Sequence, residues 1–489
     1  MVRGLWLALC LAASGCTVGP EYVRPTAPVP ASYKWEKGWR EARPADAVER
    51  GAWWSLFNDP VLDGLLRQVD VSNQNVAAAE AAFRNAAAVT AQARSAFFPV
   101  ADVNASALRS RSGGAGQLNQ IGSAFRVAAT ASWVPDLWGR VRANVSGAAA
   151  TAQASAADLA AARLAAQSQL AQAYMQIRVA DELRRLLDAS AKAYAESLRI
   201  TQNQYNAGIV SAADVAQART QLESTRARAE AVGVTRAQLE NAIAVLIGKP
   251  PAELDIAPVP GLPPLPEIPP GLPSSLLERR PDIASAERQM AAANAAIGVA
   301  ATAFYPDIVL SATSGTAGST IGSLASASAW LWSVGATLAQ TVFDAGTRQA
   351  QVEEAVATYD RTVALYRQTV LDALREVEDQ LSALLLLREP AIALEAAVTA
   401  SREAERIITN QYLAGTVSYT SVVVANTAAL NNAVAALDVT QSRLVAAVAL
   451  IQALGGGWDS SQLPSRERIE ELAPLDFNPL PPPIARPRL

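Results

Sequence analysis

Apolar and polar residues alternate along four short segments of the chain, 100–111, 124–134, 307–316 and 330–342. A period of two places the apolar side chains on one face and the polar side chains on the other, which predicts β-strands. Each segment has about the ten residues that a tilted transmembrane strand needs. A soluble antiparallel sheet with one face on a core is the alternative that this pattern leaves open.

Three tryptophans lie near the ends of these predicted strands: Trp133, Trp330 and Trp332. In transmembrane barrels, aromatic side chains form girdles where the membrane meets water. Four strands are too few for a closed barrel, which needs at least about eight, and an open edge in lipid leaves backbone groups unpaired. The pattern therefore predicts that several chains associate, and cyclic symmetry is the natural way to close the barrel.

Two alanine-rich runs, 140–206 and 347–413, have the composition and length of long helices. Alanine favours helix and lets neighbouring helices approach closely. At about 1.5 Å per residue, a run of this length forms a rod of roughly 100 Å. Each rod is predicted to turn and to return as a second helix, over 211–247 or 418–454, and Pro390 is predicted to kink the second rod.

The two turns have nearly the same sequence. Gln-Tyr-Asn-Ala-Gly at 204–208 returns as Gln-Tyr-Leu-Ala-Gly at 411–415, an offset of 411 − 204 = 207 residues. A glycine in the left-handed C′ position ends a helix, and Ser211 or Ser418 is suited to cap the next one. Each copy therefore predicts the tip of a long helical hairpin. The same offset relates many other positions, so the chain is predicted to be a duplication of one module.

The amino terminus has the features of an export signal that ends at a cysteine. Arg3 gives a basic start, and 5–13 is an apolar run too short to span a bilayer. Ala-Ser-Gly-Cys at 13–16 resembles a bacterial lipobox, so Cys16 is the predicted site of lipid attachment. The alternative is an ordinary signal peptide with an incidental cysteine. Thr17, in place of Asp, favours sorting to the outer membrane.

The duplication and the amino-terminal signal together divide the chain. The predicted segments are a signal peptide (1–15), a lipidated extended arm (16–58), a first repeat (59–257), a Pro-rich linker (258–274), a second repeat (275–457) and a carboxy-terminal segment (458–489). Asp59 and Pro60 are suited to open a helix. This helix is predicted to run to Phe98, where Pro99 ends it.

Composition excludes several classes of function. The net charge is −4, which provides no basic face for a nucleic acid. Histidine is absent, so a Ser-His-Asp system and a His-ligated zinc site are excluded. The only cysteines are Cys10 and Cys16, which excludes a disulfide framework and a Cys-rich metal site. No constellation of nucleophile, base and metal is present, so the chain is predicted to be neither an enzyme nor a cofactor-binding protein.

Several stretches carry a family resemblance. They are Gly-Pro-Glu-Tyr at 19–22, Trp-Trp-Ser-Leu-Phe-Asn-Asp-Pro at 53–60, Arg-Pro-Asp-Ile at 280–283, Phe-Tyr-Pro at 304–306 and the two Tyr-x-x-Gly tips. With them the chain resembles the TolC-like outer-membrane efflux proteins. Within that family it is similar to the lipoprotein branch that serves resistance-nodulation-division pumps (NodT/OprM-like). The matching stretches span nearly the whole mature chain.

The resemblance implies a mainly α protein with a transmembrane β-barrel. Three identical chains would supply 3 × 4 = 12 strands to one barrel, which an α-helical tube continues across the periplasm. The resemblance also implies an outer-membrane location in a Gram-negative bacterium, with a lipid anchor. A periplasmic membrane-fusion adaptor and an inner-membrane pump are the implied partners, and drugs or other small solutes would leave passively through the tube.

The resemblance also marks a gate at the hairpin tips. In the family, side-chain bonds hold the periplasmic end of the tube shut, including a Tyr–Asp contact between neighbouring hairpins. Tyr412 and Asp214 occupy the matching positions here. The alternative role for Asp214 is a capping box with Ser211. Charged residues that some relatives carry after the second tip are replaced here by Val417, Ser421 and Val424, which implies a more apolar aperture.

The tips are also the predicted docking sites for the adaptor, at Tyr205, Gly208, Tyr412 and Gly415. The turn itself requires a glycine in either case. Two other functions stay open: the exit duct of a type I protein-secretion system, which has the same fold, and a structural coiled-coil lipoprotein. The lipobox and the Arg-Pro-Asp stretch at 280–282 argue against the first, and the four strands argue against the second.

Overall fold

The computed structural model describes residues 18–35, 52–112, 120–266, 268 and 273–477. Within these residues the chain is mainly helical, with one four-stranded sheet. The mainly α class and the four strands per chain are therefore confirmed. The predicted signal peptide and lipid attachment site lie outside the described residues.

The first half contains two helices, a strand hairpin and a long helical hairpin. In chain order its elements are α1 (Pro60–Ser72), α2 (Gln74–Ser95), β1 (Val100–Ser112), β2 (Gln120–Trp133), α3 (Arg140–Asn206) and α4 (Ala212–Leu246). A 3-10 turn, Trp53–Phe57, precedes them. The 67 residues of α3 form a rod of roughly 100 Å, as the alanine-rich run predicts.

The second half repeats this order. Its elements are α5 (Leu276–Arg279), α6 (Pro281–Thr302), β3 (Asp307–Gly318), β4 (Trp330–Ala339), α7 (Thr347–Leu386), α8 (Arg388–Leu413) and α9 (Tyr419–Ala453). A short helix, α10 (Arg466–Leu472), follows. The starts of α2 and α6, and those of α4 and α9, are 281 − 74 = 207 and 419 − 212 = 207 residues apart, and their ends keep the same offset. The duplication is therefore visible in the helix boundaries.

The helix predicted over 59–98 is interrupted at Asn73, whose side chain accepts the backbone N–H groups at the start of α2. The predicted continuous helix over 59–98 is wrong, because α2 starts after Asn73. The Asn73 side-chain oxygen accepts the backbone N–H groups of Asn75 and Val76 at 2.9 and 3.0 Å. Its amide group donates to the carbonyl of Leu246 at 2.7 Å. Asn73 therefore caps α2 and also fixes its start to the end of α4.

The predicted kink in the second rod is confirmed. Helix α7 ends at Leu386 and α8 begins at Arg388, with Pro390 in its first turn. Proline has no backbone N–H and its ring clashes with the preceding turn, so it is suited to a helix start. The matching residue of the first half is Leu183, and α3 continues through it unbroken.

Both tips have the predicted turn. Gly208 has a φ of +73° and Gly415 a φ of +76°, a conformation that favours glycine. At the start of α4, the Ser211 side chain accepts the N–H of Asp214, and the Asp214 carboxylate accepts the N–H of Ser211. Ser418 is the N-cap residue of α9, as predicted, but its side chain makes no such bond to the helix. The residue three positions on is a serine, which cannot complete a capping box.

The sheet has the order β1-β2-β3-β4, and every neighbouring pair is antiparallel. Strand β4 ends at Ala339, three residues before its predicted end. The two strand hairpins have the same register. Val103 lies opposite Ala129 in the first, and Leu310 lies opposite Ala336 in the second, each residue shifted by 207. The pairing of β2 with β3 joins the two halves.

The hydrophobic core lies between the helices, away from the sheet. Its main cluster combines the middle of α3, the second half of α7, the end of α9 and most of α1 with Trp53, Trp54 and Phe57. Of the described strand residues, only Ala128 is buried. The helices therefore hold the fold together, and the sheet extends from them with both faces uncovered.

A buried ion pair attaches the Pro-rich linker to this core. The Arg178 guanidinium on α3 contacts the carboxylate of Asp59, the N-cap of α1, and the two side chains are 7% and 8% exposed. Tyr174 donates its hydroxyl to Asp59 at 2.9 Å, and Arg178 donates to the carbonyl of Gly261 in the linker at 2.8 Å. Burial raises the pKa of Tyr174 to about 12, so its hydroxyl stays protonated. Each charge of the pair thus has further hydrogen-bond partners, although the buried Nε of Arg178 has none.

The amino-terminal arm crosses from the junction of sheet and helices to the second half. The backbone N–H of Val18 donates to the carbonyl of Trp138 at 3.2 Å, just after β2. Tyr22 donates its hydroxyl to the carboxylate of Glu287 on α6 at 2.6 Å. The predicted extended arm therefore packs against its own chain, and it begins beside the sheet.

The arm approaches α6 through two glycines, which gives a testable prediction. Gly19 has a φ of +137°, and a Cβ there would lie 2.7 Å from the Cα of Gly298. We expect Gly19→Ala to release the arm, since the strain alone costs about 1–3 kcal/mol. Faster proteolysis of the arm in the folded protein would show this. Gly298→Ala is the control, because its Cβ would meet ordinary contacts at 3.5 Å or more. Equal cleavage of both variants would contradict the prediction.

Candidate functional site

One face of the sheet is apolar on all four strands. Residues opposite each other in neighbouring strands point to the same face, so the register assigns each side chain. The apolar face carries Ala101, Val103, Ala105, Ala107, Phe125, Val127, Ala129, Ala131, Trp133, Ile308, Leu310, Ala312, Trp330, Trp332, Val334, Ala336 and Leu338. The other face carries Asp102, Asn104, Ser106, Arg126, Thr130, Ser132, Ser311, Thr313, Ser333 and Thr337. Exceptions include Ser314 and Thr316 on the apolar face and Leu108, Val309 and Leu331 on the polar face. This division suits lipid on one side and water on the other.

The apolar face is open to its surroundings. Trp330, Trp332 and Val334 are 62%, 66% and 76% exposed. In a soluble antiparallel sheet this face would lie against a core. Among the described residues no layer covers it, so the soluble-sheet alternative is wrong. A continuous exposed apolar face marks an interaction with lipid or protein.

The predicted girdle tryptophans lie at two levels of the sheet. Trp133 pairs with Leu310 and Trp330 pairs with Thr316, six residues further along β3. At about 3.4 Å per residue the two levels are roughly 20 Å apart. This spacing fits the outward apolar band of outer-membrane barrels, about 25 Å tall and flanked by aromatic residues.

Trp133 also holds the turn that leads from α2 into β1. Its indole N–H donates to the carbonyl of Phe97 at 3.0 Å. In the second half, the side-chain amide of Gln340 donates to the carbonyl of Phe304 at 3.1 Å. Gln340 and Phe304 are the residues 207 positions after Trp133 and Phe97. The duplication therefore preserves the contact while the donor has changed from tryptophan to glutamine.

An aspartate at each strand-to-helix turn anchors a long helix below the sheet. Asp136 accepts the N–H of Val141 at 2.8 Å and the Arg142 guanidinium at 3.0 Å. Asp344 accepts the N–H and the guanidinium of Arg348 at 3.1 and 2.6 Å. The Arg348 guanidinium lowers the pKa of the Asp344 carboxyl. Sequence reasoning missed both aspartates, although each precedes a glycine and then a helix start, which is a capping signal.

The second tip is joined to the first half by hydroxyl groups. Tyr412 is 5% exposed and donates its hydroxyl to the side-chain oxygen of Gln204 at 2.5 Å. The hydroxyl of Thr201 lies 3.3 Å from the same oxygen of Tyr412. The ring of Tyr419 packs edge-on against Tyr412, and its hydroxyl lies 3.2 Å from that of Ser197. Three residues of α3 thus contact the tyrosines at the end of α8 and the start of α9.

Asp214 has a local role at this tip. Its carboxylate bonds the N–H and the hydroxyl of Ser211 at 2.9 and 2.8 Å, so the capping-box alternative is confirmed. Within one chain, the predicted direct bond from Tyr412 to Asp214 is not formed, because Tyr412 bonds Gln204 instead. Sequence reasoning missed Gln204, although a glutamine directly precedes the tyrosine in both tips.

The first turns of α9 carry no charged side chain, so no ion pair adds to the hydroxyl contacts at the second tip. Val417, Ser421 and Val424 are uncharged, and Val424 is 63% exposed. Burial raises the pKa of Tyr419, so its hydroxyl stays protonated at physiological pH. The contact between the halves at the second tip therefore depends on neutral hydrogen bonds and apolar packing.

The first tip has nearly the same sequence but a different environment. Tyr205 is 44% exposed and Ile209 is 71% exposed. The remaining predicted docking residues, Gly208 and Gly415, have space around them, since no atom lies within 4 Å of a Cβ built on either. The two tips therefore present short, open backbone turns with a few apolar side chains.

Two further features concern the described residues as a whole. By length and apolar composition α9 alone could cross a membrane, although a helix packed in a bundle also has these properties. No group of three or more Cys, Asp or Glu side chains in the described part of the chain is placed to hold a metal ion.

The profile of the Outer membrane efflux protein family matches residues 65–249 and 272–456. The two matches are 272 − 65 = 207 residues apart, so each repeat matches once. The chain belongs to the outer membrane efflux protein family. The two family modules of this chain are therefore separated by the offset that relates the two hairpin tips.

Relatives of this efflux protein agree over nearly its whole length. The toluene efflux pump outer membrane protein TtgC of Pseudomonas putida is 32% identical over 463 residues, 91% of this chain and 93% of that protein. Outer membrane protein OprJ of Pseudomonas aeruginosa is 32% identical over 471 residues, 94% of this chain and 96% of that protein. The solved outer-membrane channel OprN has a TM-score of 0.85 at 30% identity, covering 91% of this chain and 100% of that one.

Family membership confirms the function predicted from the resemblance. The chain is the outer-membrane exit duct of an efflux system of Gram-negative bacteria. TtgC is named for efflux and not for protein secretion, and a coiled-coil lipoprotein would not need the sheet. Lipid attachment at Cys16, which lies outside the described residues, and the gate and docking roles of the tips stay predictions.

Proposed function

We propose that three copies of this chain form one duct, with twelve strands in a closed barrel and the helical hairpins in a tube below it. One chain supplies four strands, and β1 and β4 each have one edge without a partner strand in the described chain. Closure removes these edges, which lipid does not tolerate. Strands β1 and β4 run in opposite directions, so β1 of a neighbouring copy can continue the antiparallel order.

The duct carries small solutes passively, and its partners supply the energy. The polar face of the sheet lines the barrel, and α3 extends the path by roughly 100 Å towards the inner membrane. TtgC is named for toluene efflux, which favours small organic molecules as cargo. The uncharged aperture beside Tyr412 supports the same class of solute.

The tips meet a periplasmic membrane-fusion adaptor, which links the duct to an inner-membrane resistance-nodulation-division pump. Tyr205, Gly208, Tyr412 and Gly415 form the docking end. The open turns and the exposed Ile209 support this assignment, because a helical hairpin of a partner can approach a backbone that carries no side chain. At the same end, Tyr412 acts in the gate, and Asp214 acts by fixing the start of α4.

The exposed apolar face of the sheet is the observation that carries this proposal, and a deletion strain tests it. We expect deletion of the gene to increase dye retention and to lower the inhibitory concentrations of drugs and toluene. A plasmid with the intact gene should reverse both effects, and the empty plasmid is the control. Unchanged retention in a strain without other ducts would contradict efflux, and a comparison of secreted proteins would then test the protein-secretion alternative.

Lipid attachment at Cys16 can be tested separately. Val18, two residues after Cys16, lies beside Trp138 at the helix end of the sheet. An acyl chain on Cys16 would therefore enter the leaflet next to the helical tube. We expect Cys16→Ser to abolish labelling by a fatty-acid probe, whereas Cys10→Ser keeps it. Labelling that persists in the Cys16 variant would exclude this lipid attachment site.

The gate role of Tyr412 predicts a leakier duct when its hydroxyl is removed. Tyr412→Phe leaves the Gln204 oxygen without its donor and costs about 1 kcal/mol, which corresponds to roughly a fivefold shift towards the open state. Single-channel recording in planar bilayers measures the open fraction. Tyr305→Phe is the control, since its ring stacks on Trp138 at the sheet end of the tube. An open fraction equal in both variants would refute the gate.

A further inference from the structure

The apolar face of the sheet carries charge at one end only. Alternation along β1 places Arg109 and Arg111 on the same face as Val103, because the pairing of β1 with β2 has no interruption. No other described residue on this face of the four strands is charged. Both arginines are exposed, and within the described residues neither side chain has an ion-pair or hydrogen-bond partner.

These two arginines lie at the end of the sheet that points away from the helices. Trp330 pairs with Thr316, and the register across β3 and β2 carries this level to Ala105 on β1. Arg109 and Arg111 follow after 109 − 105 = 4 and 111 − 105 = 6 residues. The helices leave the sheet at its other end, so the arginines lie at the outer end of the proposed duct. Aromatic girdles mark the membrane interfaces of such barrels, and lipid headgroups lie at this level.

The two faces exchange their character at this end of the sheet. Leu108, which is 62% exposed, points by the same alternation to the face that is mainly polar elsewhere. Arginines that served only to keep the hairpin in water would suit that face, where Arg126 lies. The sequence instead places both cations of β1 on the outward face and a leucine on the inward one. The pair therefore fits a partner that lies outside the barrel.

Apolar side chains adjoin the two charges. Arg111 lies opposite Ile121, which is 60% exposed, and Arg109 lies opposite Ser123. Phe125 is the next residue on the same face of β2. Two cations beside exposed apolar side chains suit an amphipathic ligand, whose anionic headgroup and hydrocarbon chains each find a matching surface.

We propose that Arg109 and Arg111 bind the phosphate groups of lipid A in the outer leaflet. The outer leaflet of a Gram-negative outer membrane consists of lipopolysaccharide, and its lipid A headgroup is a phosphorylated glucosamine disaccharide. A guanidinium presents a planar fork of donors that matches a phosphate, and such charge-assisted bonds are stronger than neutral ones. The acyl chains then lie against Ile121 and Phe125. This inference rests on the proposed function, because the duct determines which face of the sheet meets lipid.

Binding of lipid A to the intact, detergent-solubilised protein tests the proposal. The probe is bisphosphoryl lipid A in buffer without divalent cations, and native mass spectrometry counts the bound molecules. We expect Arg109→Gln/Arg111→Gln to weaken binding about 25-fold, since each basic side chain at an anionic membrane surface contributes roughly fivefold. Arg126→Gln is the matched control, because it removes a guanidinium from the opposite face of the sheet and should bind lipid A as the unmodified protein does.

A conservative variant separates the loss of charge from a change in the sheet. Arg109→Lys/Arg111→Lys keeps both charges but loses the guanidinium fork, so we expect it to retain most of the binding. Equal binding by the glutamine variant and the unmodified protein would overturn the proposal. An equal loss in Arg126→Gln would overturn it as well, because the effect would then be one of net charge.

Two comparison lipids identify the source of the phosphate. Lipid A without its phosphates should bind the unmodified protein as weakly as bisphosphoryl lipid A binds the glutamine variant. Phosphatidylglycerol should lose much less than lipid A on the same substitutions, because it carries a single phosphate. An equal loss for phosphatidylglycerol would indicate a surface for anionic lipids in general and would overturn the assignment to lipid A.

Complementation of the deletion strain separates this inference from the duct function. The arginines lie outside the path of the solutes, so we expect the glutamine variant to restore dye efflux while its binding of lipid A falls. If the variant restores efflux and binds lipid A as the unmodified protein does, the lipid site is wrong and the duct function stands. Failure of the intact gene to restore efflux would instead contradict the duct function itself.

Discussion

The structure depends on one constraint: a four-stranded sheet has two edges, and lipid cannot satisfy the backbone groups on them. The apolar face of this sheet, with Trp330 62% exposed, commits the strands to lipid on one side. A single chain cannot meet both conditions. In the proposed duct, association of several copies is therefore part of the folded state and not an addition to it. In that duct, the edges of β1 and β4 that lack a partner strand among the described residues pair between copies before the apolar face enters a membrane.

The long helices need contacts with one another, because a single helical rod cannot bury a hydrophobic core of its own. The buried cluster joins α1, α3, α7 and α9 at one level, and the ion pair of Asp59 with Arg178 attaches the linker there. Asp136 and Asp344 then fix the start of each long helix below the strands. The sheet is thus held in place from below, and its own faces remain free for lipid and water.

Periodicity and repetition made most of this fold predictable from the sequence. Alternation located the four strands, alanine-rich runs located the rods, and two identical Tyr-x-x-Gly motifs located the tips. The break at Asn73 could not be predicted, because it depends on an amide that bonds α2 and the distant Leu246 at once. The bond from Tyr412 to Gln204 was missed for a related reason. Its members lie 208 residues apart, and only the folded chain brings them together.

The two repeats have diverged where their surroundings differ. Asn426, Leu430 and Ala433 of α9 are buried, whereas the residues 207 positions earlier, on α4, are the exposed Arg219, Glu223 and Arg226. The contact within a chain forms once, during folding, and can be apolar. In the proposed duct, the exposed surface of α4 faces another copy and must stay in water until assembly, and charged side chains keep it soluble. The apolar composition of α9 therefore follows from its place against α3 and needs no membrane.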